Sequence, residues 1–190
     1  NQKNLSVGII GLGYVGLPLA LNFSDSGFSV LGFDVDEEKI DKLLSGKSYI
    51  NYIVNHKISK AISSEYFKPT SNFEELENTG VIIICVPTPI DKSKEPDLQF
   101  IETTAEKISG ILRKGQLVIL ESTTYPGCSD LILKPILEKS GLTSGSDFYL
   151  SYSPERVDPG NKEFDSINIP KVVGGDGDEA LKLSAALYGK

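Results

Sequence analysis

One run of residues constrains this chain more than any other. Gly11, Gly13 and Gly16 form a Gly-x-Gly-x-x-Gly loop directly after the apolar run Val7 to Ile10, and a helix carrying Val15, Leu19, Leu21 and Phe23 starts there. Strand, glycine loop and helix in that order open a βαβ unit. The first glycine allows the tight turn, the second lets backbone approach a diphosphate, and the third lets helix pack closely on strand. An anion then sits on the helix N-terminus.

Glycine-rich turns are common, and Asp34 is what specialises this one. It stands 23 residues after Gly11, at the end of the second strand run Ser29 to Phe33. A carboxylate there accepts hydrogen bonds from the hydroxyls of an adenosine ribose, whereas a 2′-phosphate would meet a like charge. The pair predicts NAD rather than NADP, a preference that Lys39 tempers if its ammonium reaches the same place. The plainer alternative is a set of turn glycines with a surface aspartate.

The rest of the chain repeats the pattern. Short apolar runs alternate with helix-period segments, as in βα units with a mainly parallel sheet covered on both faces. Strands are predicted at Val7 to Ile10, Ser29 to Phe33, Val81 to Val86, Gln116 to Leu120, Phe148 to Tyr152 and Lys171 to Val173. Leu98, Ile101, Ala105, Ile108 and Leu112 mark one helix face, with Asp97 as N-cap and Gly115 beyond the end. Leu131 to Leu137 reads as another helix, ending at Gly141, with Pro135 at a kink or restart. Ser48 to Tyr66 reads as a helical excursion. At 190 residues the expectation is one α/β domain, residues 1–190, of the doubly wound Rossmann type.

Composition removes several classes of function. Nineteen Lys and Arg against 26 Asp and Glu give a net charge of −7, which builds in no attraction to nucleic acid or to an anionic membrane. Cys85 and Cys128 lie far apart beside a single histidine, His56, so neither a disulfide framework nor a zinc site is expected, and the cytoplasm fits best. Cys85 reads as core and His56 as solvated. Cys128 follows Pro126-Gly127 near a helix start but has no histidine base close by, so it is not assigned catalysis. Glycines and Pro18 interrupt the apolar stretch from Leu5 to Leu21, against a signal peptide. The chain contains no methionine, and a processed or excised piece is expected.

In open parallel sheets ligands collect at the carboxyl ends of strands. Three such ends carry chemistry: Val86-Pro87-Thr88-Pro89, then Glu121-Ser122-Thr123-Thr124, then Ser153-Pro154-Glu155-Arg156. Thr88 and Thr123 suit either a cofactor contact or a cap or turn hydroxyl. Glu155 and Arg156 suit either a site or a surface ion pair.

Taken in order, these segments resemble the N-terminal domain of the UDP-glucose/GDP-mannose dehydrogenase family. Gly11-Leu12-Gly13-Tyr14-Val15-Gly16-Leu17-Pro18-Leu19-Ala20, Gly32-Phe33-Asp34-Val35-Asp36, Val86-Pro87-Thr88-Pro89, Pro96-Asp97-Leu98, Glu121-Ser122-Thr123 and Ser153-Pro154-Glu155-Arg156 carry the likeness across almost the whole length. It is strongest to the branch that oxidises UDP-N-acetylhexosamines, UDP-N-acetylglucosamine above all, for surface polysaccharides. UDP-glucose and UDP-N-acetylmannosamine are the alternatives. A free-standing nicotinamide-binding module is an alternative of another class, and a β-hydroxyacid dehydrogenase domain would share the glycine loop but does not account for Ser-Pro-Glu-Arg.

The resemblance implies two successive NAD-dependent oxidations that take a sugar C6 alcohol through an aldehyde to a carboxylate. In the family a cysteine forms a thiohemiacetal and then a thioester, which water hydrolyses. Carried over residue by residue, Thr123 and Glu155 would be catalytic. Gly11, Gly13, Tyr14, Val15, Gly16, Asp34, Lys39, Pro87, Thr88, Ser122 and Thr123 would hold NAD, and Glu155 and Arg156 would meet the UDP-sugar. The family's Gly-Gly-x-Cys loop has no counterpart, because Gly174-Gly175 is followed by Asp176 and Gly177. The chain is therefore expected to be inactive alone, lacking the nucleophile, the central dimerisation helix and the sugar-nucleotide domain of a homodimeric enzyme. Tyr52 stands where the close branch often has histidine, and Cys128 where threonine is usual.

Overall fold

The computed structural model describes residues 5–90, 96–154 and 170–189. The chain divides into two compact units, the first running to Val81 and the second beginning at Ile82.

In the first unit, β1 (Ser6–Ile10), β2 (Ser29–Phe33) and β3 (Phe67–Thr70) lie side by side in the order β3-β2-β1, with both pairings parallel. The register sets Ile10 opposite Phe33 and Phe33 opposite Thr70, so the three strands end together. The helices are α1 (Gly16–Asp25), α2 (Glu37–Leu44) and α3 (Asn55–Ser63). Leu17, Ala20, Leu21 and Phe23 of α1 are buried, as are Ile40 and Leu43 of α2 and Ile58 of α3.

The helical excursion expected over Ser48 to Tyr66 holds for α3. The next element along the chain is β3, to which the sequence pattern does not point. Two of its four residues are Lys68 and Pro69, and a proline lacks the ladder N–H. β3 tolerates it because it closes the strand order on that side.

The second unit takes β4 (Val81–Ile84), β5 (Leu117–Leu120), β6 (Tyr149–Tyr152) and β7 (Gly174–Gly175), in that order, with β5 and β6 parallel and β7 antiparallel to β6. Successive strand residues face opposite ways, and every residue of β4 and β5 is buried, so both faces of these strands are covered. The helices are α4 (Gln99–Ile111), α5 (Lys134–Leu137) and α6 (Asp178–Tyr188). The class is the expected one: a seven-stranded, mainly parallel sheet with helices. Among the described residues no helix is long and apolar enough to cross a membrane.

Three local expectations need correction. Asp97 is one position short of being the N-cap of α4; that place is Leu98, and the Asp97 carboxylate accepts from the Gln99 N–H at 2.9 Å. The helix expected from Leu131 is broken into a π turn over Ser129–Leu133, a restart at α5 with Pro135 in its first turn, and a 3₁₀ turn over Glu138–Ser140. Gly141 ends it at φ 83°, where a side chain would be strained.

Finally, Lys171 to Val173 is not a strand, and the ladder starts at Gly174. A Cβ on Gly175 would collide with the backbone of Leu181, so this glycine is what lets α6 approach β7.

Candidate cofactor site

The first unit builds its site from the glycine loop and the end of β2. Gly11 sits at φ 91°, which strongly favours glycine, and its N–H donates to the Phe33 carbonyl at 2.8 Å, tying the loop to β2. Chain neighbours aside, nothing lies within 4 Å of where a Cβ on Gly13 would stand. Among the described residues no side chain caps α1, and its first turn holds no acid. The contrast is α2, where Asp36 accepts from the Lys39 N–H and Glu37 and Glu38 fill the first turn. With no side-chain cap and no acid at its start, α1 offers the positive end of its dipole beside the open space at Gly13, which is what an anion needs.

Asp34 is 6% exposed and thoroughly held. Its Oδ2 accepts from the Leu12 N–H at 2.9 Å and from the Lys39 ammonium at 3.2 Å, and its Oδ1 accepts from the Asp36 N–H at 3.0 Å. Two backbone donors fix the carboxylate where β2 ends. The lysine occupies the lone pairs that ribose hydroxyls would use, so those hydroxyls share with Lys39 or displace it. Bare amides, an open second glycine and a fixed carboxylate fit an adenine dinucleotide.

Sequence reading missed the residues that line this loop from the other side. Tyr49 donates its hydroxyl to the Leu12 carbonyl at 2.5 Å, and Tyr52 donates to the Tyr14 carbonyl at 3.1 Å. Lys39 stands 5.9 Å from the centre of the Tyr49 ring. Burial first, then the charges of Asp34 and Asp36, push the Tyr49 phenol well above its ordinary pKa. Both tyrosines belong to the segment read as a helical excursion, and their separation from the loop, 37 and 38 residues, hid the contact.

In the second unit, the segments after β4 and β5 are stapled to each other. Thr88 donates its hydroxyl to the Thr123 carbonyl at 2.6 Å, and buried Ser122 donates to the Val86 carbonyl at 2.7 Å. The Thr88 bond spans 35 residues and is neither a cap nor a local turn. Pro87 and the side chain of Thr123 are exposed.

Just before them, Glu121 is 1% exposed, with its carboxylate taking the Lys171 ammonium and the Tyr188 hydroxyl. The sequence signal for this cluster was an acid closing an apolar strand. Cys85 and Cys128 are both buried, and His56 is exposed. Glu155 and Arg156 lie outside the described residues.

Comparison with known proteins agrees with this geometry. The model of the UDP-glucose/GDP-mannose dehydrogenase family, NAD binding domain, matches residues 5–190. The UDP-N-acetyl-D-glucosamine 6-dehydrogenase of Pseudomonas aeruginosa is 41% identical over 98% of this chain and 44% of its own length. The structure of the UDP-D-ManNAc dehydrogenase of Pyrococcus horikoshii superposes with a TM-score of 0.90 at 35% identity, covering 97% of this chain and 44% of that one. A ternary complex of the Pseudomonas aeruginosa GDP-mannose dehydrogenase also gives 0.90, at 30% identity, covering 96% and 44%. The chain spans less than half the length of these relatives. Its glycine loop, Asp34 and strand order are those of an NAD-binding domain, and the chain belongs to the UDP-glucose/GDP-mannose dehydrogenase family.

Proposed function

We propose that this chain supplies the NAD-binding part of an enzyme that oxidises the C6 alcohol of UDP-N-acetylglucosamine to a carboxylate, two NAD per sugar, in surface polysaccharide synthesis. The observation that carries the reading is 41% identity over nearly the whole chain to an enzyme of that name. In this reading the complete protein is cytoplasmic, works as a homodimer and takes its nucleophile from residues beyond this chain.

NAD, when bound, accepts the hydride. The chain's own residues bind and orient it. The amides of the loop Gly11, Gly13, Tyr14, Val15 and Gly16 receive the diphosphate, and Asp34 accepts from the ribose hydroxyls while Lys39 moderates its charge. Pro87, Thr88 and Ser122 are assigned to the cofactor on the strength of the family resemblance. Thr123, whose hydroxyl is not needed for the staple to Thr88, is assigned the reacting sugar carbon. Glu155 holds the hydrolytic water, and Arg156 meets the nucleotide sugar.

The likeness to a UDP-D-ManNAc dehydrogenase supports a second reading, oxidation of the mannosamine epimer. The test is the complete gene product assayed against UDP-N-acetylglucosamine, UDP-N-acetylmannosamine and UDP-glucose, with NADH counted per sugar consumed. Two NADH per UDP-N-acetylglucosamine, with slower turnover of the others, is expected. Preference for the mannosamine substrate would install the second reading, and one NADH per sugar would overturn both.

A further inference from the structure

We propose that Tyr49 and Tyr52 form a clamp that holds the peptide planes of the glycine loop in the orientation a diphosphate needs. The inference rests on the assignment of the glycine loop to the diphosphate.

A trans peptide is planar, so its C=O and the following N–H point in opposite directions, and fixing one fixes the other. The Tyr49 hydroxyl holds the Leu12 carbonyl at 2.5 Å and thereby sets the Gly13 N–H. The Tyr52 hydroxyl holds the Tyr14 carbonyl at 3.1 Å and sets the Val15 N–H. Both amides are turned away from the phenols. On its other side Leu12 gives its own N–H to Asp34 at 2.9 Å, so this residue is gripped at both ends.

Such a grip matters most at a glycine loop. With open space around Gly13, side-chain packing does not choose its peptide orientation, and hydrogen bonds must. A loop already ordered in the free protein loses less entropy when the anion arrives. The raised pKa of Tyr49 keeps its hydroxyl a donor at neutral pH. Tyr14 and Tyr52 also meet ring to ring, with centroids 6.3 Å apart.

Lys39 links the clamp to the ribose end, since its ammonium reaches both Asp34 and the Tyr49 ring. Tyr49 and Tyr52 are positioning residues in this account, touching the loop and not the reacting atoms.

The experiment measures binding of NADH, ADP-ribose and adenosine to the complete gene product and to its Tyr49→Phe and Tyr52→Phe variants, by fluorescence for NADH and ligand-observed NMR for the others. Each variant keeps the ring and removes one hydroxyl. We expect NADH and ADP-ribose to weaken about fivefold for Tyr49→Phe, the equivalent of one ordinary hydrogen bond, and about twofold for exposed Tyr52→Phe. Adenosine, which has no phosphate, keeps its affinity. Equal losses for adenosine and ADP-ribose, or no loss in either variant, overturns the clamp. Should Tyr49→Phe fail to fold, Tyr52→Phe decides alone. If the unsubstituted protein binds ADP-ribose no better than adenosine, the diphosphate assignment of the loop is what fails.

Discussion

The ends of β2 and β5 carry the same three kinds of side chain and use them differently. At β2, Asp34 meets Lys39, which lies 5.9 Å from the Tyr49 ring; at β5, Glu121 meets Lys171, which lies 5.4 Å from the Tyr188 ring. Asp34 also receives two backbone N–H groups, and its lysine side chain is 34% exposed. Glu121 is held by side chains, and its lysine is only 16% exposed. The first carboxylate is fixed by its own βα unit and keeps a partner that can yield to a ligand. The second is sealed, and its lysine and tyrosine fasten two distant segments to the end of β5. A shared composition therefore makes an accessible carboxylate–ammonium pair, the proposed ribose site, in one place and a brace in the other.

Breaking the brace has the largest expected effect. Lys171→Met leaves a carboxylate buried without its counter-charge, a change that costs about 3–5 kcal/mol. In a chain of this size that lowers the melting temperature by on the order of 10 °C, read by circular dichroism. A fall of only a degree or two would mean that water already reaches Glu121, and the contrast with Asp34 would dissolve.

The matching change at the other end is Lys39→Met. Asp34 keeps its two backbone donors and the lost ammonium is about a third exposed to water, so stability falls by less than about 1 kcal/mol. The consequence appears in cofactor choice instead. Without the ammonium, the Asp34 charge repels a 2′-phosphate unopposed, and fluorescence titration should show NADH favoured over NADPH by a wider margin than before. A narrower margin would remove Asp34 from the ribose site.

The smallest effect comes from a third pair nearer solvent, Lys134 with Asp176 at 2.7 Å. The Lys134 ammonium, followed by the Ser144 hydroxyl, holds the Asp176 carboxyl below its ordinary value. A folded-state value below the unfolded one contributes stability that is complete above the ordinary carboxylate pKa, about 4, and disappears as pH falls through the lowered one. The melting-temperature gap between the protein and Asp176→Asn should be constant near neutral pH and close progressively below about pH 4. A gap that persists in strong acid would show that the pair contributes by packing alone.

How far the sequence could be read tracks the same division. The glycine loop, β2 and Asp34 were legible because their logic is local: a turn, a period and one acid at a set distance. α4 was legible for the same reason, its large apolar residues marking the buried face. α6 was not. Its buried residues are Ala180, Ser184 and Leu187, two of them small, while the conspicuous Leu181 and Leu183 are exposed. The valines after Lys171 point to a strand, yet the strand is Gly174 and Gly175, and at Gly175 helix packing excludes a Cβ.

Of the candidate site residues, the loop and Asp34 came from the motif, and the condition set on Lys39 is met, since its ammonium lies 3.2 Å from Asp34. The contacts of Tyr49 and Tyr52 with the loop gave no signal, although Tyr52 stood out as a departure from the family pattern, because a phenol reaching a carbonyl nearly forty residues earlier leaves no trace in spacing.

Sequence alone determined the class of fold, which depends on short-range pattern: alternation, glycine placement and one acid after the second strand; the family rested on the likeness of longer segments spread along the chain. Tertiary structure alone decided that Thr88 and Ser122 staple two segments together, that Glu121 is braced by Lys171 and Tyr188, and that two tyrosines grip the loop. Those facts depend on which distant side chains folding brings within about 3 Å of one another, and hydrogen bonds carry no periodicity that a linear reading can detect.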